Sequence, residues 1–206
     1  MERDLAGRIV ALVSPTGLRT SYSYDACGRM VDVTDPAGRV TRYSYTSDFQ
    51  VATVTYPTGE TARYEYDAMG RVVLSHVPGA GVSQYRYDPC GRLVFSCDLV
   101  YGQRHFSYDL AGQLVAATNP AGGVSRYGYD RCGRLVTRTD PGGGLTTYQY
   151  NECGQMIAAT DPLGRVTEYT WDKSGTLAAI TRPDGTVVSR RLGPKGCLLY
   201  TSDAAD

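Results

Sequence analysis

Residues 127–147 read YGYDRCGRLVTRTDPGGGLTT, and the same phrase returns every 21 residues along the chain. Two aromatics spaced two apart put both rings on one face of a strand, because successive strand side chains alternate. That strand stops at Asp130-Arg131-Cys132-Gly133. An aspartate at the first turn position can bond the backbone two residues on, and a closing glycine can take the left-handed conformation of a bulged hairpin. A second strand, Arg134-Leu135-Val136-Thr137, runs to Thr139-Asp140-Pro141-Gly142-Gly143. There proline presets φ to about −65° and glycine ends the turn. A proline inside a central strand would remove a ladder hydrogen bond, so it marks a boundary.

Outward from this unit, one grid holds Gly7, Gly28, Gly70, Gly91, Gly112, Gly133, Gly154, Gly175 and Gly196, with Phe49 the one exception. A first aromatic register runs through Tyr22, Tyr43, Tyr64, Tyr85, Phe106, Tyr127, Tyr148 and Tyr169, and a second lies two residues later, from Tyr24 to Trp171. Prolines keep the period from Pro15 to Pro183, broken at Leu99. Such self-similarity is the mark of a repeat architecture. Connections this short cannot hold a crossover helix, so neighbouring strands must run antiparallel. The expected fold is all-β: an antiparallel meander of repeated hairpins, two strands per unit, forming a large curved or spiralling sheet. The Ser47-Asp48-Phe49-Gln50 turn is expected to be the least regular hairpin, and Leu99-Val100-Tyr101-Gly102 to depart from the other proline turns. The aromatics are expected to supply much of the apolar burial, each phenol reaching a polar partner at the edge.

Composition narrows the function. The chain has 206 residues, 21 Lys+Arg against 21 Asp+Glu, and therefore no net charge. Mixed, balanced charge argues against a nucleic-acid or anionic-membrane surface. No run approaches the 18 or so apolar residues of a membrane span. Cys27, Cys90, Cys132 and Cys153 occupy one repeat phase without any CxxC, and His76 and His105 are not grouped with them, so no zinc site is expected. Neighbours such as Cys132 and Cys153 would sit about 10 Å apart, too far for a disulfide. They are read as free thiols in turns.

The units YSYDACGRMVDVTDPAGRVTR (22–42), YEYDAMGRVVLSHVPGAGVSQ (64–84), FSYDLAGQLVAATNPAGGVSR (106–126) and 127–147 resemble YD repeats. These are the repeats of rearrangement-hotspot (Rhs) proteins, and they are similar to those of the Tc-toxin cocoon and the teneurin shell. The resemblance covers about Asp4 to Gly196. It implies a fragment of a β-shell: a spiralling sheet wound into a hollow wall around a toxin domain at the C-terminal end. It implies encapsulation in interbacterial competition or toxin delivery, with no enzyme activity in this stretch. The implied partners are the remainder of its own shell, the enclosed C-terminal toxin domain, and secretion-apparatus or surface proteins of the full-length parent. The implied parent is bacterial, secreted or surface-delivered after cytoplasmic synthesis.

The array is assigned to residues 1–196. The start falls inside a unit, since Asp4-Leu5-Ala6-Gly7-Arg8 matches D-x-x-G-R, and a truncated beginning is expected. Residues 197–206, CLLYTSDAAD, leave the pattern abruptly. They resemble, residue for residue, the translation of a transposase sequencing adapter, so a non-native tail is expected there.

Rival chemistries weigh less than the repeat. Asp140-Pro141-Gly142-Gly143 and Asp161-Pro162-Leu163-Gly164 are similar to the D-P-x-G pairs of the Rhs family's aspartyl self-cleavage site. The same tetrad type recurs at Asp35-Pro36-Ala37-Gly38, and a periodic feature is explained by periodic turns. The series Asp25, Asp67, Asp88, Asp109, Asp130 and Asp172 offers one carboxylate per unit, where calcium wants about six to eight oxygens at one point. His76 and His105 hold different phases without a serine or cysteine constellation. Gly142-Gly143-Gly144 lacks the lysine of a phosphate loop. The column Arg8, Arg29, Arg71, Arg92 and Arg134 could bind anions, but pairing with local carboxylates is the expected role. No catalytic residue, cofactor or metal ligand is assigned. The competing functional class is a cell-surface or cell-wall carbohydrate-binding module, in which each repeat would open an aromatic groove.

Overall fold

The computed structural model describes residues 1–192 and 198–204, with side chains described through Ser189. Twenty strands and no helix are present among them. The chain divides into two compact units, Met1–Arg104 and His105–Asp206.

In the first unit the strands are β1 (Glu2–Arg3), β2 (Ile9–Val13), β3 (Arg19–Tyr24), β4 (Met30–Thr34), β5 (Val40–Tyr45), β6 (Val51–Thr55), β7 (Thr61–Tyr66), β8 (Val72–Val77), β9 (Gly81–Tyr87) and β10 (Leu93–Asp98). Each pairs antiparallel with the next in chain order. β11 (Gly102–Tyr108) crosses the division. The second unit continues with β12 (Leu114–Thr118), β13 (Val124–Tyr129), β14 (Leu135–Thr139), β15 (Leu145–Tyr150), β16 (Met156–Thr160), β17 (Val166–Trp171), β18 (Leu177–Thr181), β19 (Val187–Leu192) and β20 (Leu198–Ala204). It has the same sequential antiparallel pairing. The two-reversal meander read from the repeat is therefore the fold. Gly196 and Cys197, where the array was expected to give way to the tail, lie outside the described residues.

Both turns of a unit are the same hairpin. At the tyrosine side the Gly133 N–H bonds the Asp130 carbonyl at 3.0 Å and the Asp130 N–H bonds the Arg134 carbonyl at 2.9 Å. At the proline side Gly143 and Asp140 repeat this pair of bonds at 3.0 and 2.9 Å. The closing glycines sit at φ +80° and +88°, a region where a Cβ is strained.

Phe49 overturns one expectation. It stands on the glycine grid with φ 66°, and its turn closes with the usual bonds, Phe49 N–H to Thr46 carbonyl at 3.2 Å and Thr46 N–H to Gln50 carbonyl at 2.8 Å. The hairpin is regular, and the phenylalanine carries the strain that glycine would avoid. The departures lie on the proline side. In Val77-Pro78-Gly79-Ala80-Gly81 the positive φ moves to Gly79 and Gly81, and Pro followed by a positive-φ Gly is the type II arrangement. In the next proline-side turn Gly102 takes φ 65°, while the Asp98 carboxylate accepts the Val100 and Tyr101 N–H groups at 2.9 and 2.5 Å.

A β-bulge interrupts every tyrosine-side hairpin. Tyr129 pairs with Leu135 while Gly128 pairs with Thr137, leaving Val136 extra. The same slip makes Val31, Ala52, Val73, Val94, Val115, Ile157 and Ala178 extra residues. The proline-side hairpins β4–β5, β12–β13, β14–β15 and β16–β17 have no such shift. A bulge bends its strand and raises the local twist, so one bend per unit is built in.

Among the described residues only Ala11, Ala62, Ser75, Phe95 and Ser96 are buried. The paired aromatics are half-buried, so they supply less burial than expected. Each unit is a single sheet layer, and most strand side chains remain half-exposed.

Candidate functional site

The recurring constellation lies at the tyrosine-side turns. In Asp67-Ala68-Met69-Gly70-Arg71, the Asp67 Oδ1 accepts the N–H groups of Met69 and Arg71, both at 3.0 Å. Its Oδ2 accepts Arg71 Nε at 2.8 Å. The arginine is thereby pinned beside its own turn. Its guanidinium reaches forward, with the carbon 4.6 Å from the centroid of the Tyr87 ring and Nη1 3.5 Å from the Asp88 carbonyl. The Tyr87 hydroxyl reaches back and donates to the Val72 carbonyl at 3.1 Å. One unit is thus clasped to the next by a cation–π contact and two side-chain bonds to backbone. Such a contact is worth about 0.5–1 kcal/mol, and each hydrogen bond about 1 kcal/mol.

The clasp repeats. Arg8 lies over Tyr24, Arg29 over Tyr45 and Arg134 over Tyr150 at 4.8, 4.9 and 5.0 Å. Tyr24, Tyr45, Tyr66, Tyr129 and Tyr150 each donate to a carbonyl 15 residues earlier, at 2.6–2.9 Å. Trp171 does the same through Nε1, to Met156 at 2.7 Å. Where glutamine replaces arginine, Gln50 Nε2 reaches the Gly70 carbonyl at 2.8 Å. The first aromatic of each pair behaves differently. The phenols of Tyr22, Tyr43, Tyr64, Tyr85, Tyr127, Tyr148 and Tyr169 have no hydrogen-bond partner among the described residues. The expectation of a polar partner for every phenol therefore holds only for the second register.

Charge follows this geometry. The Arg29 N–H, followed by its guanidinium, holds the Asp25 carboxyl below the ordinary range against the opposing effect of desolvation. Asp88 and Asp130 are lowered in the same way by Arg92 and Arg134. For Asp67 the Arg71 side chain is the largest influence. Desolvation pushes the Tyr45, Tyr64 and Tyr129 phenols up.

The rival sites fall into this frame. Asp25, Asp67 and Asp130 pair with the arginine of their own turn, and Asp109 and Asp172 cap their turns. Asp140 and Asp161 serve successive proline-side turns, each Oδ1 accepting two N–H groups of its own turn. His76 sits in β8 opposite Arg63, and His105 in β11 opposite Thr118. Cys27, Cys90, Cys132 and Cys153 are exposed free thiols at turn tips. Among the described residues no three His, Cys, Asp or Glu side chains gather as a metal site. The second bulge, at Val136 and its equivalents, and the clasp escaped sequence reading. The clasp's signal was present: Arg8, Arg29, Gln50, Arg71, Arg92, Gln113, Arg134 and Gln155 each have an aromatic 16 residues later.

A sequence profile described as the teneurin YD-shell matches residues 1–185. A search of curated proteins returns no match. Among solved structures, the crystal structure of TcdB2-TccC3 superposes with TM-score 0.79 at 18% identity, covering 98% of this chain and 12% of that one. The crystal structure of TcdB2-TccC3 without its hypervariable C-terminal region gives 0.79 at 17% identity, with the same coverage. That of TcdB2-TccC3-Cdc42 gives 0.78 at 18%, again over 98% and 12%. At this identity the likeness is one of fold, and the chain spans 12% of the length of these structures.

Proposed function

The chain belongs to the teneurin YD-shell family, and from that premise we propose that it is a stretch of shell wall from an Rhs-type polymorphic toxin protein, enclosing a toxin domain for delivery in interbacterial competition. The residues of the array, 1–196, serve structure and not catalysis. The partners are the rest of the same shell and the C-terminal toxin domain inside it, with secretion-apparatus or surface proteins acting on the whole parent.

The observation that carries this reading is the clasp. The turn arginine or glutamine of one repeat reaches forward and the second aromatic of the following repeat reaches back, in strands that form single sheet layers with five buried residues among those described. A module for a small substrate concentrates its polar groups at one concave place; here they recur at every turn. The carbohydrate-binding alternative needs open aromatic grooves. The second-register rings are instead half-buried, hydrogen-bonded and, over Tyr24, Tyr45, Tyr87 and Tyr150, covered by guanidinium.

The test is to express the uninterrupted reading frame of the source gene, image the product and digest it with protease. A hollow particle that protects a non-repetitive C-terminal segment supports the wall. An open ribbon with that segment digested, or glycan binding centred on the tyrosines, overturns it.

A further inference from the structure

The ladders that join one tyrosine-side hairpin to the next stop short of the tyrosine edge. Between β6 and β7 the pairing runs Thr55↔Thr61, Val54↔Ala62 and Thr53↔Arg63. Val51 lies two residues farther on, and its carbonyl is filled by the Tyr66 hydroxyl at 2.8 Å. Between β4 and β5 the ladder likewise ends at Asp32↔Arg42, and the Tyr45 hydroxyl fills the Met30 carbonyl at 2.6 Å. Beyond the ladder, each junction is held by side chains.

The hairpin β5–β6 is held unequally on its two flanks. On the N-terminal flank, Arg29 Nε bonds Asp25 at 2.7 Å and Nη1 lies 3.5 Å from the Thr46 carbonyl. Its guanidinium carbon sits 4.9 Å from the Tyr45 ring and 5.1 Å from the Phe49 ring, so two aromatics flank one cation. On the C-terminal flank the corresponding residue is Gln50. Its Nε2 bonds the Gly70 carbonyl at 2.8 Å, and no guanidinium lies over Tyr66 among the described residues.

Three departures from the repeat meet at this turn. Thr46 stands where the other tyrosine-side turns begin with aspartate or asparagine, Phe49 stands on the glycine grid, and Gln50 stands in the arginine column. Thr46 Oγ1 accepts the Gln50 N–H at 3.2 Å, where Asp25 Oδ1 accepts the Arg29 N–H at 2.9 Å. A hydroxyl can close the turn but offers no charge to pin a cation. Gln113 and Gln155 also replace arginine, yet their turns keep Asp109 with Gly112 and Asn151 with Gly154. Phe49 accepts a φ of 66° and lays its ring against Arg29, which adds to the N-terminal flank and nothing to the other.

We propose that the β6–β7 junction is a built-in seam, whose tyrosine end opens while its proline end stays paired. The pivot is the turn Tyr56–Glu60, closed by the Tyr56 N–H to the Glu60 carbonyl at 2.8 Å and the Gly59 N–H to the Tyr56 carbonyl at 2.9 Å. The β5–β6 hairpin moves with β4, to which Arg29 ties it. This goes beyond the wall reading and does not depend on it.

Hydrogen exchange of the folded 206-residue chain, read amide by amide by NMR as protection factors, tests the seam. Residues 51–53 are expected to be at least about threefold less protected than residues 30–32, the factor that one cation–π contact supplies. Val54 and Thr55 should match Val33 and Thr34. Thr46→Asp combined with Gln50→Arg should raise residues 51–53 to the level of 30–32. Arg29→Gln should lower residues 30–32 to the level of 51–53, and it makes the same comparison in reverse should the double variant not fold. Tyr148→Phe, which removes a phenol without a described partner, should change neither flank. Equal protection of the two flanks, no gain in the folded double variant, or no loss in Arg29→Gln overturns the proposal. Low protection along the whole of β6 also overturns it, because that marks unfolding of the hairpin and not opening at one end. None of these outcomes bears on whether the parent forms a hollow particle.

Discussion

The two ends of the strands use the same hairpin and hold their neighbours by different means. At the tyrosine side, arginine, tyrosine and backbone carbonyls form directional bonds from one repeat to the next. At the proline side the turn aspartates keep their bonds within the turn, as where Asp35 holds Arg39 and Asp161 holds Arg165, and the bond that reaches another strand there is Arg19 to Glu2 at 2.7 Å. There the neighbours meet as apolar bodies: a Cβ on Gly123 would lie 2.8 Å from Pro141, one on Gly144 would lie 3.0 Å from Pro162, and Leu99 rests over Gly81. Turn geometry and cohesion between repeats are therefore separate properties. Aspartate and glycine set the first at both edges, while arginine and tyrosine set the second at one.

The widest gap between the edges should come from truncation. Tyr150→Ala removes a ring contact, a hydrogen bond and half-buried area, and is expected to cost about 2–3 kcal/mol. Pro162→Ala should cost about 0.5 kcal/mol. Urea midpoints measure both, and equal losses would erase the distinction. Next, Gly133→Ala and Gly143→Ala should each cost about 1–2 kcal/mol, because both force a Cβ into the left-handed region. A large difference between them would show that the hairpins are not equivalent. Phe49→Gly should stabilise by about 1 kcal/mol, since relief of strain exceeds the loss of the ring beneath Arg29. A fall in melting temperature would mean that this ring contributes more than its backbone costs.

The smallest effects follow pH and separate the edges by sign. The turn aspartates have lowered folded values at both edges, as at Asp25 and Asp35. Their contribution is complete above about pH 4 and is lost as pH falls through the folded values. Tyr45 and Tyr129 are raised, so their contribution is complete below about pH 10 and is lost as pH rises through the folded values. Melting curves across pH should show an acid limb involving both edges and an alkaline limb from tyrosines alone. Replacing Tyr45 and Tyr129 with phenylalanine should flatten the alkaline limb and leave the acid one.

Much of this was legible in the sequence because hairpin chemistry is local. Asp130, Gly133, Asp140 and Pro141 announce both reversals within a few residues, and the paired aromatics announce the face. Phe49 misled because backbone strain at one residue is invisible when flanking bonds enforce the turn. Val136 gave no sign of a bulge, since an extra valine in a strand looks like any other. The Arg134–Tyr150 clasp was hidden because its members belong to different hairpins, and only the fold sets them face to face.

The short reach of the clasp has a genetic consequence. Because the side-chain bonds of the clasp go no farther than the adjoining repeat, a duplicated stretch of one period of codons would bring its own partners and find matching ones on each side. Unequal crossing-over between such near-identical segments can therefore lengthen or shorten the gene without redesigning any residue. An event out of phase would set arginine against the wrong strand and be eliminated.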